Sequence, residues 1–408
     1  MRILLLAQFF PPVIGGEERH VQDLAVQLSK RGHDVIVGTQ RHEGAPDIEA
    51  FDGYTVHRVG SVMGRVGVGS TDRRFAPPFP DPETSLALRK LGKQFRPDIV
   101  HAHNWIINSW IPVKPFVKAP LVWTLHAFGL NCATHRMVRD GNPCSGPGAK
   151  KCLQCAQSHY GRVMGTAVAT TNAAMVPVRK NAVDMFVSVS TDVARRNGVL
   201  GTSLPQRIIP NFTDVEASKS PAPLDLRLEP ELPDEPFILF VGDQSKDKGL
   251  PDVIEAYQRA GEPLPLVIIG RPVDPLPDNL SDRITVINGW PYENVVEAFR
   301  RCAFSVAPSR WAEPFGLVII EAMLQGKPVI GANHGGITDI IEDGETGYLV
   351  EPRDVESLQD RLKKLSDDVE LRGQMGTKAR ESVKRFDVDI VIGQIEALYE
   401  ELIASESP

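Results

Sequence analysis

The sequence lacks any long hydrophobic run. In its 408 residues no window approaches about eighteen consecutive apolar residues, which excludes a membrane-spanning helix. The opening stretch MRILLLAQFFPPVIGG has the look of a signal peptide, but no small-residue cleavage site follows it. We interpret it as a buried first strand. We therefore expect a cytoplasmic protein, with peripheral contact at the inner face of the membrane as a further hypothesis.

Dense basic runs with interleaved aromatic residues are also missing, and nucleic acid is therefore a poor partner. The net charge of −7 is nevertheless unevenly distributed. Residues 1–214 contain 25 Lys and Arg against 16 Asp and Glu, whereas the remainder contains 20 against 36. An anionic partner of the first half, such as a membrane surface or a phosphorylated molecule, and a chance distribution of solvated charges explain this split equally well.

Cysteine is scarce, with five residues in the chain, but four of them fall in one short polar segment. These four are Cys132, Cys144, Cys152 and Cys155. Four-cysteine groups in cytosolic proteins usually bind a metal through thiolates, so we predict a structural metal site. Zinc is favoured over an iron–sulfur cluster, and disulfides or free thiols are the alternatives. Cys302 is interpreted as a core residue.

Short apolar runs alternate with helical segments along most of the chain, a pattern typical of parallel sheets covered by helices on both faces. The first helix is predicted from about Glu17 to Arg31, with Gly32 at the position that a helix C-cap favours. A stretch rich in proline and acidic residues interrupts the alternation, which then restarts with PFILFVGD. The predicted fold class is therefore α/β, with two doubly wound domains.

The predicted domain organisation has four segments. They are a first domain (1–214), a linker (215–236), a second domain (237–385) and a C-terminal helix (386–408). The first domain contains the four-cysteine insertion at about 131–157. The last segment is predicted as helical because its apolar residues recur every three or four positions. Ligands of open parallel sheets bind beyond the carboxyl ends of the strands, so chemistry is expected there.

The stretch PSRWAEPFGLVIIEAMLQGKPVIG carries the strongest chemical signal. Glu313 and Glu321 are separated by seven residues, and Pro314 is predicted to open a helix at its favoured first position. Each carboxylate can accept two hydrogen bonds from hydroxyl groups, as a sugar or a ribose offers. Unpaired N–H groups of the first helical turn would come from Phe315, Gly316 and Leu317.

Other candidate residues fall at predicted strand ends. Gly15 and Gly16 lie between the first strand and the first helix, where glycine lets a backbone approach a diphosphate at the positive end of the helix dipole. His126 closes the strand LVWTLH. His101 and His103 end another strand, and a ligand-binding role and a structural role are equally supported for them.

These motifs together resemble the retaining GT-B glycosyltransferases, in particular glycosyltransferase family 4. The resemblance covers nearly the whole chain, and it rests on the Gly-rich turn, HAH, IPNFTD, FVG followed by DKG, the paired glutamates and HGGITDIIEDGETGYLV. It implies two Rossmann-like domains facing each other across a cleft, with the last helix packing on the first domain. It also implies transfer of a sugar from a nucleotide-diphosphate sugar to a hydroxyl of a polysaccharide, glycolipid or small-molecule acceptor. No cofactor is implied for the chemistry.

The resemblance also assigns roles to individual residues. Glu313 contacts the hydroxyls of the donor sugar, Glu321 holds the ribose, Lys248 contacts the donor phosphates, and His126 lies near the reacting sugar. Catalysis is thereby attributed to His126, Lys248 and Glu313. Donor binding is attributed to Gly15, Gly16, Lys246, Arg271, Phe315, Gly316, Leu317 and Glu321.

One position departs from the family pattern. The family usually has an arginine directly after the glycine of the strand FVG, where this chain has Asp243. Lys246 or the dipole of the following helix is expected to compensate for the missing charge, and Arg271, after the strand PLVIIG, is expected to contact the nucleotide. The departure also motivates an alternative function, a nucleotide-sugar-binding protein whose catalysis has decayed. A sugar epimerase on the same architecture is a second alternative, but its acid and base groups cannot be assigned.

Overall fold

A computed structural model describes most of the chain, namely residues 1–13, 15–65, 77–139, 141–214 and 232–406. The chain divides into two compact units. The first unit comprises Met1–Met137, Ser145–Phe212 and Asp389–Pro408, and the second comprises Val138–Cys144 and Thr213–Val388. The predicted linker at 215–236 lies largely outside the described residues.

The strands are short, as the apolar runs of the sequence predict. They are β1 (Arg2–Ala7), β2 (Asp34–Gln40), β3 (Ile48–Phe51), β4 (Tyr54–Val59), β5 (Ile99–His103), β6 (Leu121–Leu125), β7 (Val138–Arg139), β8 (Asn142–Pro143), β9 (Met185–Ser188), β10 (Gln206–Ile208), β11 (Ile238–Val241), β12 (Leu266–Gly270), β13 (Ile284–Asn288), β14 (Phe304–Ala307), β15 (Val329–Ala332) and β16 (Gly347–Val350).

Helices cover the segments between most of these strands. They are α1 (Gly16–Lys30), α2 (Val62–Arg65), α3 (Pro82–Phe95), α4 (Ile107–Trp110), α5 (Ala149–Tyr160), α6 (Arg162–Ala182), α7 (Thr191–Arg196), α8 (Leu250–Arg259), α9 (Tyr292–Arg301), α10 (Leu317–Leu324), α11 (Val355–Asp367), α12 (Val369–Ser382) and α13 (Val388–Glu406). Within the described ranges, every helix is too short or too polar to cross a bilayer.

Each unit contains one open sheet. In the described residues, the sheet of the first unit has the order β10-β9-β6-β5-β1-β2-β4-β3, and its strands run parallel except for the antiparallel β3–β4 pair. The sheet of the second unit has the order β13-β12-β11-β14-β15-β16 and is parallel throughout. In each sheet the strand order reverses beside the first strand, and the prediction of two doubly wound α/β units is confirmed.

The first helix begins and ends close to its predicted limits. Its buried face contains Val21, Leu24 and Leu28, which pack on the sheet. Gly32 follows the helix with φ +83°, a left-handed conformation that a side chain would strain. The predicted C-cap is therefore confirmed, and it directs the chain straight into β2.

The last helix belongs to the first unit. Its apolar stripe is buried, as the spacing predicts, at Val388, Val391, Ile392, Ile395, Leu398, Tyr399 and Leu402. The Tyr399 hydroxyl lies 2.5 Å from His101 Nδ1 at the centre of the unit, and Glu396 lies 2.7 Å from His33 Nε2. α13 therefore completes the core that the first residues of the chain begin.

The cysteine-bearing insertion is divided between the units, whereas the sequence assigns all of 131–157 to the first domain. The hairpin of β7 and β8 groups with the second unit. There the Arg353 guanidinium donates to Asn142 Oδ1 at 2.9 Å and also to the carbonyl oxygen of Gly141. These bonds explain why the hairpin groups with a unit that is remote from it in sequence.

Candidate active site

The carboxyl edge of the first sheet carries a cluster of histidines. β5 ends at His103, β6 is followed directly by His126, and α1 contributes His20. His103 Nδ1 lies 2.8 Å from His126 Nε2, and the ring centroids of these two residues are 5.1 Å apart. The structure thus brings the predicted His126 next to His103.

Burial dominates the electrostatics of this cluster. It lowers the pKa of His20 to about 4 and that of His126 well below its ordinary value, and the neighbouring histidines add to the effect on His126. The imidazoles are therefore neutral at pH 7. A neutral imidazole has one donor and one acceptor nitrogen, which suits it to hydrogen-bond a sugar hydroxyl.

Gly15 and Gly16 lie at the start of α1, as predicted. Gly15 is extended, with φ −179°, and Gly16 is the first helical residue. A Cβ built on Gly16 would meet nothing within 4 Å. Neither backbone conformation nor internal packing therefore requires glycine at position 16, and the open space in front of it leaves room for a ligand.

In the second unit, Lys248 and Glu313 form an ion pair at the carboxyl edge of the sheet. Lys248 Nζ lies 2.6 Å from Glu313 Oε1, and Ser309 Oγ lies 3.0 Å from the same oxygen. Burial alone would lower the pKa of Lys248, but the Glu313 carboxylate, assisted by Asp243 and Asp247, raises it above its ordinary value. Lys248 therefore remains protonated beside the glutamate.

The helix that follows Glu313 begins later than predicted. α10 begins at Leu317, and Gly316 precedes it with φ +117°, so Pro314 does not occupy the first helical position. The left-handed glycine breaks the helical path between Pro314 and Leu317. The Phe315 ring is buried and packs edge-on against Phe386 at 5.6 Å. Any ligand contact of Phe315 would therefore come from its backbone.

A turn from the end of β15 packs closely against the backbone around Glu313. Gly336 N donates to the carbonyl oxygen of Glu313 at 2.7 Å. Gly335 has φ +69°, and a Cβ on it would lie 2.6 Å from that carbonyl oxygen. Only glycine fits there, and this contact fixes the backbone that presents the Glu313 carboxylate.

Asp243 is paired with a cation from the neighbouring strand. β11 and β12 are adjacent, and Arg271 after β12 places a guanidinium nitrogen 2.9 Å from Asp243 Oδ2. The backbone N–H of Lys246 donates to Asp274 Oδ2 at 2.7 Å. Of the two cations considered for the donor, Arg271 is therefore the one that the structure pairs with Asp243.

Glu321 lies inside α10, and its carboxylate contacts a residue outside the Lys248–Glu313 pair. The Tyr292 hydroxyl, at the start of α9, donates to Glu321 Oε1 at 3.1 Å. A carboxylate has further lone pairs beyond this bond. Glu321 can therefore still accept bonds from a ribose.

The four cysteines of the insertion are half-buried thiols and form no disulfide. Cys152 and Cys155 lie one turn apart on α5. Burial of Tyr160 raises the pKa of its hydroxyl to about 12, and the nearby Cys132 and Cys155 add to this effect. Among the described residues, no three of the four sulfurs come within 4.8 Å of one another. Zinc binding would require them to converge, and the metal site stays a prediction.

Several residues of the site were missed from the sequence. They are His20, Ser309 and Tyr292. His20 lies on the buried face of a helix whose apolar spacing is evident, and Ser309 lies only four residues before Glu313, so the positions of both were usable signals. The contact of Tyr292 with Glu321 joins α9 to α10, and nothing in the local sequence indicates it.

Comparison with known proteins agrees with this geometry. Residues 14–217 match the family described as Glycosyltransferase Family 4, and residues 226–382 match Glycosyl transferases group 1. The chain is 27% identical over 391 residues to a glycogen synthase of Mycobacterium tuberculosis, covering 90% of this chain and 86% of that protein. It is 28% identical over 392 residues to a D-inositol 3-phosphate glycosyltransferase of Nocardia farcinica, covering 90% and 80%.

Solved structures share the fold at lower identity. A sucrose-phosphate synthase from Thermosynechococcus elongatus superposes with a TM-score of 0.72 at 22% identity, covering all of both chains. Anabaena HepE, solved in complex with UDP and glucose, gives a TM-score of 0.70 at 19% identity, covering 98% of this chain and all of that one.

Two open parallel sheets with polar side chains at their carboxyl edges, together with the two family matches, identify the chain as a glycosyltransferase of the GT-B class. The family matches make the assignment specific, since together they span most of the chain. The chain belongs to glycosyltransferase family 4.

Proposed function

We propose that this glycosyltransferase moves a sugar from a nucleotide-diphosphate sugar to an acceptor hydroxyl with retention of configuration at the anomeric carbon. The observation that carries this proposal is the ion pair of Lys248 and Glu313. It places a cation suited to a diphosphate beside a carboxylate suited to sugar hydroxyls. Anabaena HepE was solved with UDP and with UDP-glucose, which supports a donor of this class.

The reaction proposed is a front-face substitution. The bond between the anomeric carbon and the leaving phosphate oxygen breaks, and the acceptor oxygen bonds to the same face of that carbon. The acceptor proton passes to the leaving phosphate. Lys248, which remains protonated, stabilises the negative charge that develops on the diphosphate. His126 hydrogen-bonds the transferred sugar as a neutral imidazole.

The Asp243–Arg271 pair supports activity over decayed catalysis. Asp243 replaces the arginine that the family usually has, but its carboxylate holds the Arg271 guanidinium at 2.9 Å. Arg271 then supplies a planar cation with several donors, which suits a phosphate. Replacement of Arg271 by alanine is expected to weaken donor binding, while replacement of Arg259, an exposed residue of α8 paired with Glu255, should leave it unchanged.

A thermal-shift screen against nucleotide sugars tests the proposal. One donor should stabilise the wild type, and Glu321→Ala should remove that stabilisation. Glu370→Ala, a change of the same kind on α12, should retain it. Product analysis by NMR then reports the anomeric configuration. Absence of stabilisation by every donor would contradict the proposal, and stabilisation without any transfer or hydrolysis would favour the nucleotide-sugar-binding alternative.

Peripheral membrane contact is proposed for the opposite edge of the first sheet. A hollow of about 490 Å³ lies where β1, β5 and β6 begin. Three of its cations have no ion-pair partner among the described residues, namely Lys93, Arg96 and Lys118. Since this edge is remote from His126, the positive charge favours an anionic surface over an anionic acceptor in the site.

Exposed apolar side chains accompany these cations. Phe116 is 53% exposed and lies under the guanidinium of Arg89 at 3.8 Å, and Leu86 is 67% exposed on α3. Cations mixed with exposed apolar groups are typical of surfaces that contact anionic lipid. The acceptor would then be lipid-linked.

Sedimentation with vesicles tests the membrane contact. Phosphatidylserine-containing vesicles should bind the protein at low salt and release it at high salt, and neutral phosphatidylcholine vesicles should bind little. The double change Lys93→Glu and Lys118→Glu should remove binding. The double change Lys363→Glu and Lys364→Glu, at exposed positions of α11, makes the same change in net charge and serves as the control. Equal, salt-insensitive binding to both vesicle types would overturn this part of the proposal.

A further inference from the structure

Three histidines of the first unit bring their ring nitrogens together. Among the described residues, His20, His103 and His126 are the group in which three metal-binding atoms all lie within 4.8 Å of one another. They come from α1, from the end of β5 and from the residue after β6. Because β1, β5 and β6 are consecutive neighbours in the sheet, the backbone holds this group in place without help from a ligand.

One nitrogen of the group is buried without a hydrogen-bond partner. His103 Nδ1 is hydrogen-bonded to His126 Nε2 at 2.8 Å. His103 Nε2 has no partner among the described residues. His103 is fully buried. An unsatisfied buried polar atom costs about 1–3 kcal/mol, so its presence requires an explanation. A ligand that binds imidazole nitrogen would supply one.

The spacing of the rings suits a tetrahedral ion. The centroid separations are 4.9 Å for His20–His126, 5.1 Å for His103–His126 and 6.0 Å for His20–His103. An ion about 2.0–2.1 Å from three imidazole nitrogens places the ring centroids roughly 5 Å apart.

We infer that His20, His103 and His126 form a binding site for a divalent transition-metal ion such as Zn²⁺. Three imidazoles select zinc, cobalt, nickel or copper over magnesium and calcium, which favour oxygen ligands.

Metal binding has a consequence that rests on the proposed function. An imidazole that coordinates a metal through its free lone pair cannot accept a hydrogen bond from the donor sugar. Occupancy of the site therefore inhibits transfer, and a chelator reverses the inhibition. The site would make this enzyme sensitive to free zinc.

Cobalt absorption tests the binding separately from activity. The measurement uses the full chain with all four cysteines of the insertion, Cys132, Cys144, Cys152 and Cys155, replaced by serine, so that their thiolates do not compete for the ion. Addition of Co²⁺ should give visible d–d bands of a tetrahedral site with about one equivalent bound per chain. His20→Leu and His103→Gln should each abolish these bands, while His57→Ala, on β4, should retain them. Circular dichroism and thermal unfolding verify that each variant is folded.

The outcomes separate the two claims. Cobalt bands that disappear in both variants support the site, and zinc inhibition relieved by a chelator supports its effect on transfer. Absence of tetrahedral bands in the parent protein, or bands that persist in His20→Leu and His103→Gln, overturns the site. Bands without any inhibition leave the metal site standing and contradict the role of His126 in the proposed function.

Discussion

Lys248 and Glu313, 65 residues apart in sequence, meet at 2.6 Å in an ion pair that lies where the donor diphosphate and the donor sugar are expected. The lysine assigned to phosphate thus holds the carboxylate assigned to the sugar. Each of the two charges therefore has an oppositely charged partner in the absence of a ligand. When a donor binds, the lysine can turn to the diphosphate as the sugar hydroxyls satisfy the glutamate, so neither charge becomes unpaired.

This pair predicts that a second substitution can restore stability without restoring activity. Lys248→Met leaves the half-buried Glu313 carboxylate without its cation and should lower the free energy of unfolding by about 1–3 kcal/mol. The double variant with Glu313→Gln should recover most of that loss, whereas transfer should fall by about 10²-fold or more in both. Urea denaturation and initial rates measure the two effects. A single variant as stable as the double would contradict the prediction.

Gly16 predicts a loss of function without a loss of stability. Its position at the start of α1 tolerates a Cβ, so Gly16→Ala should leave thermal unfolding unchanged or raise stability by up to about 1 kcal/mol. Donor affinity should fall about tenfold, which corresponds to ~1.4 kcal/mol. Gly373→Ala is the matched control, since a Cβ there also meets nothing within 4 Å. Equal donor binding by both variants would remove Gly16 from the donor site.

The hydrogen bond between Tyr399 and His101 predicts a measurable share of the stability of the first unit. Tyr399→Phe removes the hydroxyl 2.5 Å from His101 Nδ1 and should lower the free energy of unfolding by about 1 kcal/mol. Tyr348→Phe, at another buried tyrosine, should cost much less, because its hydroxyl forms no hydrogen bond among the described residues. Urea denaturation of the two variants provides the comparison. Equal losses would show that the bond contributes nothing net.

His135 predicts that stability falls in acid. Burial, with a contribution from Arg179, lowers its pKa from 6.5 to about 3, so the unfolded chain binds a proton that the folded chain excludes. Stability should therefore decrease as pH falls from about 6.5 towards 3, by roughly 1.4 kcal/mol per pH unit for this group. His135→Leu should flatten the dependence in urea denaturation at pH 7, 6 and 5. An unchanged slope would assign the effect to other histidines.

The cysteine set predicts a removable structural metal. The purified chain should contain about one zinc ion held by these thiolates, and strong chelation should lower its unfolding temperature. Cys155→Ser should lose this ion, whereas Cys302→Ala should keep it because Cys302 is a buried core residue. Elemental analysis measures the content. A wild-type chain without metal and with four titratable thiols would establish them as free.

Much of the fold could be predicted because it depends on local patterns. Buried parallel strands are short apolar runs, α1 ends at a glycine, and the apolar stripe of α13 repeats at the helical period. The predicted start of α10 was wrong. Proline is common at helix starts and favoured Pro314, but Gly316 has a positive φ that is fixed by the packing around it. Sequence periodicity does not report such packing.

The site could be predicted residue by residue but not in its pairings. In the sequence, Asp243 stands where a cation is expected. In the structure it pairs with Arg271, because β11 and β12 are neighbours in the sheet. Strand order depends on the whole sheet, so the local sequence does not predict this pair. His20 lies on the same buried face of α1 as Val21 and Leu24, so its burial follows from the helical spacing. Its proximity to His103 and His126 does not, because it depends on how α1 packs on the sheet.

The position of α13 bears on how the chain folds during synthesis. The first unit begins at Met1 but includes residues 389–408, and Tyr399 contacts His101, from which it is separated by 298 positions in sequence. A ribosome therefore releases the whole second unit before the first can close its core. Until then the apolar face that α13 covers is open, so the early half of the nascent chain is the part that most needs a chaperone.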